Sequence, residues 1–356
     1  PVGISAWAGA AVAALVLTVI AVPLGAVMLR ADASSGLGPA DWAAVRFTVG
    51  QAFLSALFSV GLAIPVARAL ARRNFRGRSA LIALMGAPFI LPVIVAVLGL
   101  LTVFGRQGAL SEILRLFGLP GVEIYGLHGV VLAHVFFNLP LAVRLILQGW
   151  LAIPVERFRL AATLGFSSRD LARHMERPML RNVLPGAFLV IFLICTTSFA
   201  VALTLGGGPR ATTVELAIYQ AFLFDFDLGR AALLGLVQVA ICVIAGVFVL
   251  WVATPNAIGT GLDQPVERWD GQSRAARLLD GAFITAAAMF LLLPLRAVVL
   301  RGAPTCAIIC GCHDAAVDLG RGAALHRLVA GDGQRCRGDG PADGDADRAR
   351  PCAGSP

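Results

Sequence analysis

The sequence predicts an all-α protein that crosses a membrane several times, and three observations carry that prediction. Hydrophobic residues make up 58% of the 356-residue chain and charged residues only 14%, against about a quarter charged in soluble domains. Seven apolar segments reach the roughly 20 residues that a membrane-crossing helix needs: 7–29, 47–69, 80–104, 128–150, 183–205, 231–253 and 282–300. The arginines cluster in alternate connections between these segments.

The charge pattern also sets an orientation. The net charge is +8, and every one of the 29 basic residues is Arg, as expected of GC-rich coding. The second connection holds Arg68, Arg72, Arg73, Arg76 and Arg78. The fourth holds Arg157, Arg159, Arg169, Arg173, Arg177 and Arg181, and the sixth Arg268, Arg274 and Arg277. The connections between them carry Arg30 and Arg46, then Arg106 and Arg115, then Arg210 and Arg230. Positive residues gather on the cytoplasmic side, so the N-terminus and the fourth connection are expected inside. A nucleic-acid partner is excluded by the same distribution, which follows the loops rather than one face.

The first segment is longer than a signal-peptide core and has neither a basic leader nor a small-residue cleavage site. Since the chain begins at Pro1, it is expected to have lost an initiator Met or to start inside a longer frame. Pro23, Pro65, Pro88, Pro92 and Pro140 fall within spans, where neighbouring helices can re-satisfy freed backbone groups. Pro88 and Pro92 together predict a kinked or broken third span. Outside the membrane, Gly206, Gly207 and Gly208 before Pro209 predict a sharp turn. A phosphate-binding loop is excluded there, because it needs a Lys before Ser/Thr and a preceding strand. Residues 214–224 are amphipathic, and Asp225 and Asp227 read as solvated loop acids.

The fourth connection, 153–182, is the most structured. Pro154 suits the first turn of a helix, and Phe158, Ala161 and Ala162 share a face at helical spacing. Gly165 interrupts that helix. Ser167 followed by Asp170 predicts a capping box for a second short helix with Leu171, Ala172 and Met175 on its apolar face. Pro178 is expected to close it at Arg177. Two bent helices among arginines fit a docking element, or an amphipathic loop on the lipid surface.

Polar residues inside the spans are few. His134 and Asn138 lie four apart on one face of the fourth span, and Thr196, Thr197, Ser198 and Gln238 occupy the fifth and sixth. Such residues either bond neighbouring helices or line a path for a solute, and the sequence leaves both open. Arg144 is expected to snorkel toward the inner surface. The five His are scattered, and no catalytic set or metal cluster emerges.

Within the fourth connection, A-A-x-L-G with a proline thirteen residues past the glycine resembles the coupling loop of binding-protein-dependent ABC importer permeases. Ala161, Leu164, Gly165 and Pro178 match, while Arg159 stands where that family has Glu and Leu160 where it has Ala. Residues 105–108 (G-R-Q-G), 125–148 (Y-G-L-H-G-V-V-L-A-H-V-F-F-N-L-P-L-A-V-R-L-I-L-Q) and 205–220 (L-G-G-G-P-R-A-T-T-V-E-L-A-I-Y-Q) are similar to permeases of thiamine and thiamine pyrophosphate importers. The resemblance runs over about residues 42–300. It implies a type I-like permease with six spans plus a seventh that begins a second half. It implies as partners a cytoplasmic ATP-binding subunit dimer, a periplasmic substrate-binding protein, a second permease half and the surrounding membrane lipid of a bacterial inner membrane. It implies that Arg159, Ala161, Leu164, Gly165 and Pro178 meet the ATPase; of the two readings of the polar span residues, the solute path is the one that would take in His134, Asn138, Thr197 and Ser198. The chain itself is then a transport subunit rather than an enzyme and calls for no cofactor. Permeases for iron(III), sulfate or polyamines are the nearest alternatives, and a secondary transporter or channel is the alternative of another class. No acidic residue stands well inside a span, as proton coupling would want.

Five regions follow: 1–46, the first span and an outer loop; 47–253, the permease domain; 254–281, a cytoplasmic linker; 282–300, the start of a second half; and 301–356. The last contains no Phe, Trp, Tyr, Met, Glu or Asn and holds five of the seven Cys. Its Cys306, Cys310, Cys312 and His313 fit no common zinc spacing. It reads as out-of-frame translation, with the second half lost after Arg301.

Overall fold

The computed structural model describes residues 4–31, 36–206, 208, 211–252 and 273–320, and all regular structure among them is helical. Most of the 254–281 linker, the turn residues Gly207 and Pro209, and residues 321–356 lie outside the described residues, as do the side chains of Cys306, Cys310, Cys312 and His313. The chain divides into two units, Pro1–Leu300 and Arg301–Pro356, of which the second is described only as helical backbone over 301–320.

In order, the helices are α1 (Ile4–Arg30), α2 (Pro39–Arg72), α3 (Arg78–Leu84), α4 (Ala87–Ile90), α5 (Val93–Phe104), α6 (Ala109–Leu116), α7 (Leu127–Leu151), α8 (Val155–Thr163) and α9 (Ser168–Leu171). After a π-helical turn (Ala172–Glu176) come α10 (Arg177–Thr196), α11 (Phe199–Leu205), α12 (Val214–Leu223), α13 (Leu228–Val252) and α14 (Arg274–Gly320). Among the described residues, seven stretches are long and apolar enough to cross a membrane, each overlapping one of the seven segments expected from the sequence.

Three expectations about these elements are corrected. The second span starts at Pro39, well ahead of residue 47, because Pro39 suits the first turn and the Asp41 carboxylate accepts the Gly38 N–H at 2.9 Å. Residues 39–46, expected in an outer loop, therefore contribute about two helical turns to α2. The fifth span is not continuous over 183–205 but stops at Thr196 and resumes at Phe199. Pro178 does not close a helix: it sits in the first turn of α10, and the π turn ahead of it lets Arg177 N–H reach back to Ala172 O. The wider turn accommodates a residue that offers no N–H of its own to the ladder. The third span is broken as expected, with α3, α4 and α5 separated at Gly86 and at Pro92.

The core of the first unit is built by α2, α7 and α10, which pack on one another. Between apolar helices in lipid, close packing and hydrogen bonds replace the hydrophobic effect as the source of association. The inward face of α2 accordingly carries small residues, with Ala52, Ser55, Ala56, Ser59, Ala63 and Ala67 all buried. Gly149 of α7 faces α10 so closely that a Cβ there would come within 2.8 Å of Met179 Sδ and Val183 Cγ2. The described part of α14 within the first unit packs its Ala287 and Leu291 into the same core, and Gly99 of α5 passes directly against Pro294 O. Large apolar side chains such as Val16, Leu57, Ile244 and Trp251 remain on the outside, where acyl chains would meet them.

Candidate functional site

Two features stand out: the bent loop after α7 and the break in the fifth span. In the loop, α8 ends in a Schellman arrangement. Gly165 N–H donates to Ala162 O at 3.1 Å and Phe166 N–H to Ala161 O at 3.0 Å, with Gly165 at φ +68°. That dihedral belongs to the left-handed region, which costs a residue with a Cβ about 1–2 kcal/mol. A Cβ built on Gly165 meets nothing within 4 Å. The glycine is needed for the shape of the turn, not to relieve a packed contact.

The second short helix is capped as expected. Asp170 N–H donates to Ser167 Oγ at 3.3 Å, and Ser167 N–H donates to Asp170 Oδ2 at 3.0 Å. Phe158, Ala161 and Leu171 are buried against each other, with Ile153, Phe166 and Met175 closing around them. Ala162, expected on that inner face, is exposed: burial follows the i, i+3 pair Phe158 and Ala161 alone. Leu160 and Leu164, one turn apart, are 60% and 62% exposed on the other side. Arg159 and Pro178 are exposed as well.

A residue that the sequence did not single out anchors this loop. Glu176 ends the π turn, is buried, and lies 2.7 Å from Arg68 and 4.0 Å from Arg72 of α2. Its signal was weak, one acid among many arginines. Arg73 of the same helix end pairs with the buried Asp280 of α14 at 2.8 Å. The C-terminal end of α2 thus ties together the loop and α14.

The second feature is the interruption at Thr197–Ser198. Four side chains from three other helices meet it. Gln51 of α2 donates through Nε2 to Cys195 O at 2.8 Å, and Gln238 of α13 donates through Nε2 to Thr196 O at 3.2 Å. Helix ends expose carbonyls that need partners, and in lipid no water supplies them. These two amides do so. His134 of α7 lies with Nδ1 3.1 Å from Ser55 Oγ and Nε2 2.6 Å from Ser198 Oγ, so one imidazole bridges three elements. Asn138 donates through Nδ2 to His134 O at 2.9 Å and to Cys195 Sγ at 3.3 Å.

His134, Asn138 and Ser198 are thus brought together, and the interhelical role left open by the sequence is realised. Thr197 is not part of the cluster: it is exposed, and its hydroxyl turns back to Leu193 O and Ile194 O at 3.4 Å. Gln51 and Ser55 were not anticipated. Their signal was present, since Gln51, Ser55 and Ser59 repeat every fourth residue along one buried stripe of α2.

No family model matches the chain. It is 48% identical over 264 residues to the thiamine transport system permease protein of Escherichia coli (strain K12), an alignment taking in 73% of this chain and 49% of that relative. It is 41% identical over 273 residues to the thiamine transport system permease protein of Brucella abortus (strain 2308), over 76% of this chain and 50% of the relative. The chain spans about half the length of the curated relatives it matches. Among solved structures, a bacterial ABC transporter involved in the import of the acidic polysaccharide alginate superposes with a TM-score of 0.51 at 16% identity. That match covers 61% of this chain and 78% of the other, and at such low identity it speaks for the fold alone. Over the residues it shares with these relatives, the chain is similar to thiamine transport system permease proteins, and it has the fold of ABC transporter permeases.

Proposed function

We propose that this chain forms one half of the membrane permease of an ATP-driven importer for thiamine or its phosphates in a bacterial inner membrane. ATP hydrolysis belongs to a cytoplasmic subunit dimer, delivery of the solute to a periplasmic binding protein, and the facing wall of the path to a second permease half. The observation that carries the reading is the bent loop. It holds two exposed leucines, Leu160 and Leu164, on a base packed by Phe158, Ala161 and Leu171 and tied to α2 through Glu176. A rigid apolar knob of this kind fits a groove on a partner that moves, and motion there reaches α2 through the ion pair. His134, Asn138 and Ser198, at the break in the fifth span, border the solute path.

The test is uptake of labelled thiamine in a strain lacking its own importer, with the chain expressed beside a relative's ATP-binding subunit, binding protein and second permease half. ATP-dependent uptake is expected only when all are present, and none from this chain without the second half. Within that assembly Gly165→Val should abolish uptake while leaving membrane insertion unchanged, and Gly165→Asn, which tolerates the left-handed region, should retain most of it. Full activity in the Val variant would remove the loop from its role.

Orientation is proposed from the arginine asymmetry, with Arg72 and Arg173 inside and Arg106 outside. In a cysteine-free background, Gly108→Cys is expected to react with an impermeant maleimide added to intact cells and Arg173→Cys only after lysis. Labelling of Arg173→Cys from outside would invert the topology.

A further inference from the structure

The amide groups at the break in the fifth span have an asymmetry that limits what can bind there. Gln51, Asn138 and Gln238 are 0%, 1% and 8% exposed and come from α2, α7 and α13. Each donates through its NH₂ to a carbonyl oxygen, Cys195 O, His134 O and Thr196 O respectively. Because a carbonyl only accepts, none of the three amides can be turned over without losing that bond. The atoms left over are therefore fixed as acceptors. Gln51 Oε1, Asn138 Oδ1 and Gln238 Oε1 are buried and have no hydrogen-bond partner among the described residues. Two of the amides bond the adjacent residues Cys195 and Thr196, and the third also touches Cys195 Sγ, so the three NH₂ groups meet the chain at one point. That point is the C-terminal end of α10, where the helix dipole is negative. A buried acceptor without a partner is destabilising, and helix ends interrupted at membrane depth commonly serve cations in just this way.

We infer that Gln51, Asn138 and Gln238 form a recognition site for the hydrogen-bond donors of a cationic, amine-bearing solute, and that the site rejects anions. The inference rests on the importer reading and adds the residues and polarity by which the path selects. Thiamine, with an amino group on its pyrimidine and a positive thiazolium ring, has the required chemistry. Sulfate, which offers only acceptors and negative charge, has the opposite.

The experiment is equilibrium binding to the purified chain in lipid nanodiscs, using labelled thiamine, spermidine and sulfate as probes. Thiamine or spermidine is expected to bind, sulfate neither to bind nor to compete, and Gln51→Leu, Asn138→Leu and Gln238→Leu each to weaken the cation by tenfold or more. Elution as a single monodisperse species shows that a variant is folded. Gln238, the most accessible of the three and on a different helix from the others, remains informative if Gln51 or Asn138 cannot be replaced. Binding of spermidine but not thiamine, lost in the same variants, would keep the site and sink the thiamine reading. Thiamine binding unchanged in the folded variants would keep the thiamine reading and overturn the site. Binding of sulfate in preference, or of no cation at all, overturns the inference.

Discussion

Replacing Glu176 by Ala should leave the helices inserted in the membrane and yet detach the bent loop from α2. The Glu176 carboxylate is 5% exposed and serves Arg68 at 2.7 Å and Arg72 at 4.0 Å. Removing one partner of a buried ion pair costs about 3–5 kcal/mol, because the charge left behind has lost both its water and its counterion. The two arginines do not suffer alike. Arg68, 34% exposed, can turn to water or lipid headgroups, whereas Arg72 is 7% exposed and cannot. Glu176→Gln, which keeps the shape and a hydrogen-bonding oxygen, should lose less. Thermal unfolding in detergent and hydrogen exchange of the loop amides would check this: the Ala variant is expected to melt earlier and to exchange faster over residues 168–180. In the assembled importer it should lower stimulated ATP hydrolysis more than basal hydrolysis. An unchanged melting temperature with unchanged exchange would show that the ion pair carries no load.

The same contrast between local and distant causes explains which features could be read from the sequence. Proline acts on its own neighbours, by its missing N–H and by its ring, so the breaks around Pro88 and Pro92 were visible in advance. The capping box at Ser167 and Asp170 and the bend at Gly165 are likewise local, and all are present. The interruption at Thr197–Ser198 left no such mark, since residues 183–205 contain no proline or glycine near it and read as one apolar run. It exists because Gln51, Gln238 and His134, distant in sequence, offer the partners that a broken helix needs in lipid. Pro178 was misjudged for a related reason. The rule that a residue before proline avoids helical geometry is a preference worth little beside a continuous helix, and a π turn satisfied both. Gln51 and Ser55 could have been found from their fourfold spacing, but that pattern says only that a face is polar, not which helix it meets.

The second large effect is expected at His134. Its imidazole touches Ser55 on α2 and Ser198 at the break; His134 and Ser55 are buried, and Ser198 is half-buried. His134→Leu fills much of the same volume but accepts and donates nothing. Both hydroxyls then lose the imidazole, and a buried group left unsatisfied costs about 1–3 kcal/mol at most, a cost that falls mainly on the buried Ser55. Replacing the serines as well removes the orphaned groups. The triple change His134→Leu, Ser55→Ala, Ser198→Ala should therefore recover a good part of the stability that His134→Leu alone has lost. This non-additivity is the signature of a bonded cluster, because independent sites would add. Recovery of stability need not restore transport, since the bridge that fixes α11 relative to α2 and α7 is still missing. Thermal unfolding of the single and triple variants in detergent, with uptake measured beside it, separates the two roles. If His134→Leu melts with the wild type, the bridge does not hold the break. If the triple variant both melts and transports like the wild type, the histidine has no part in the path.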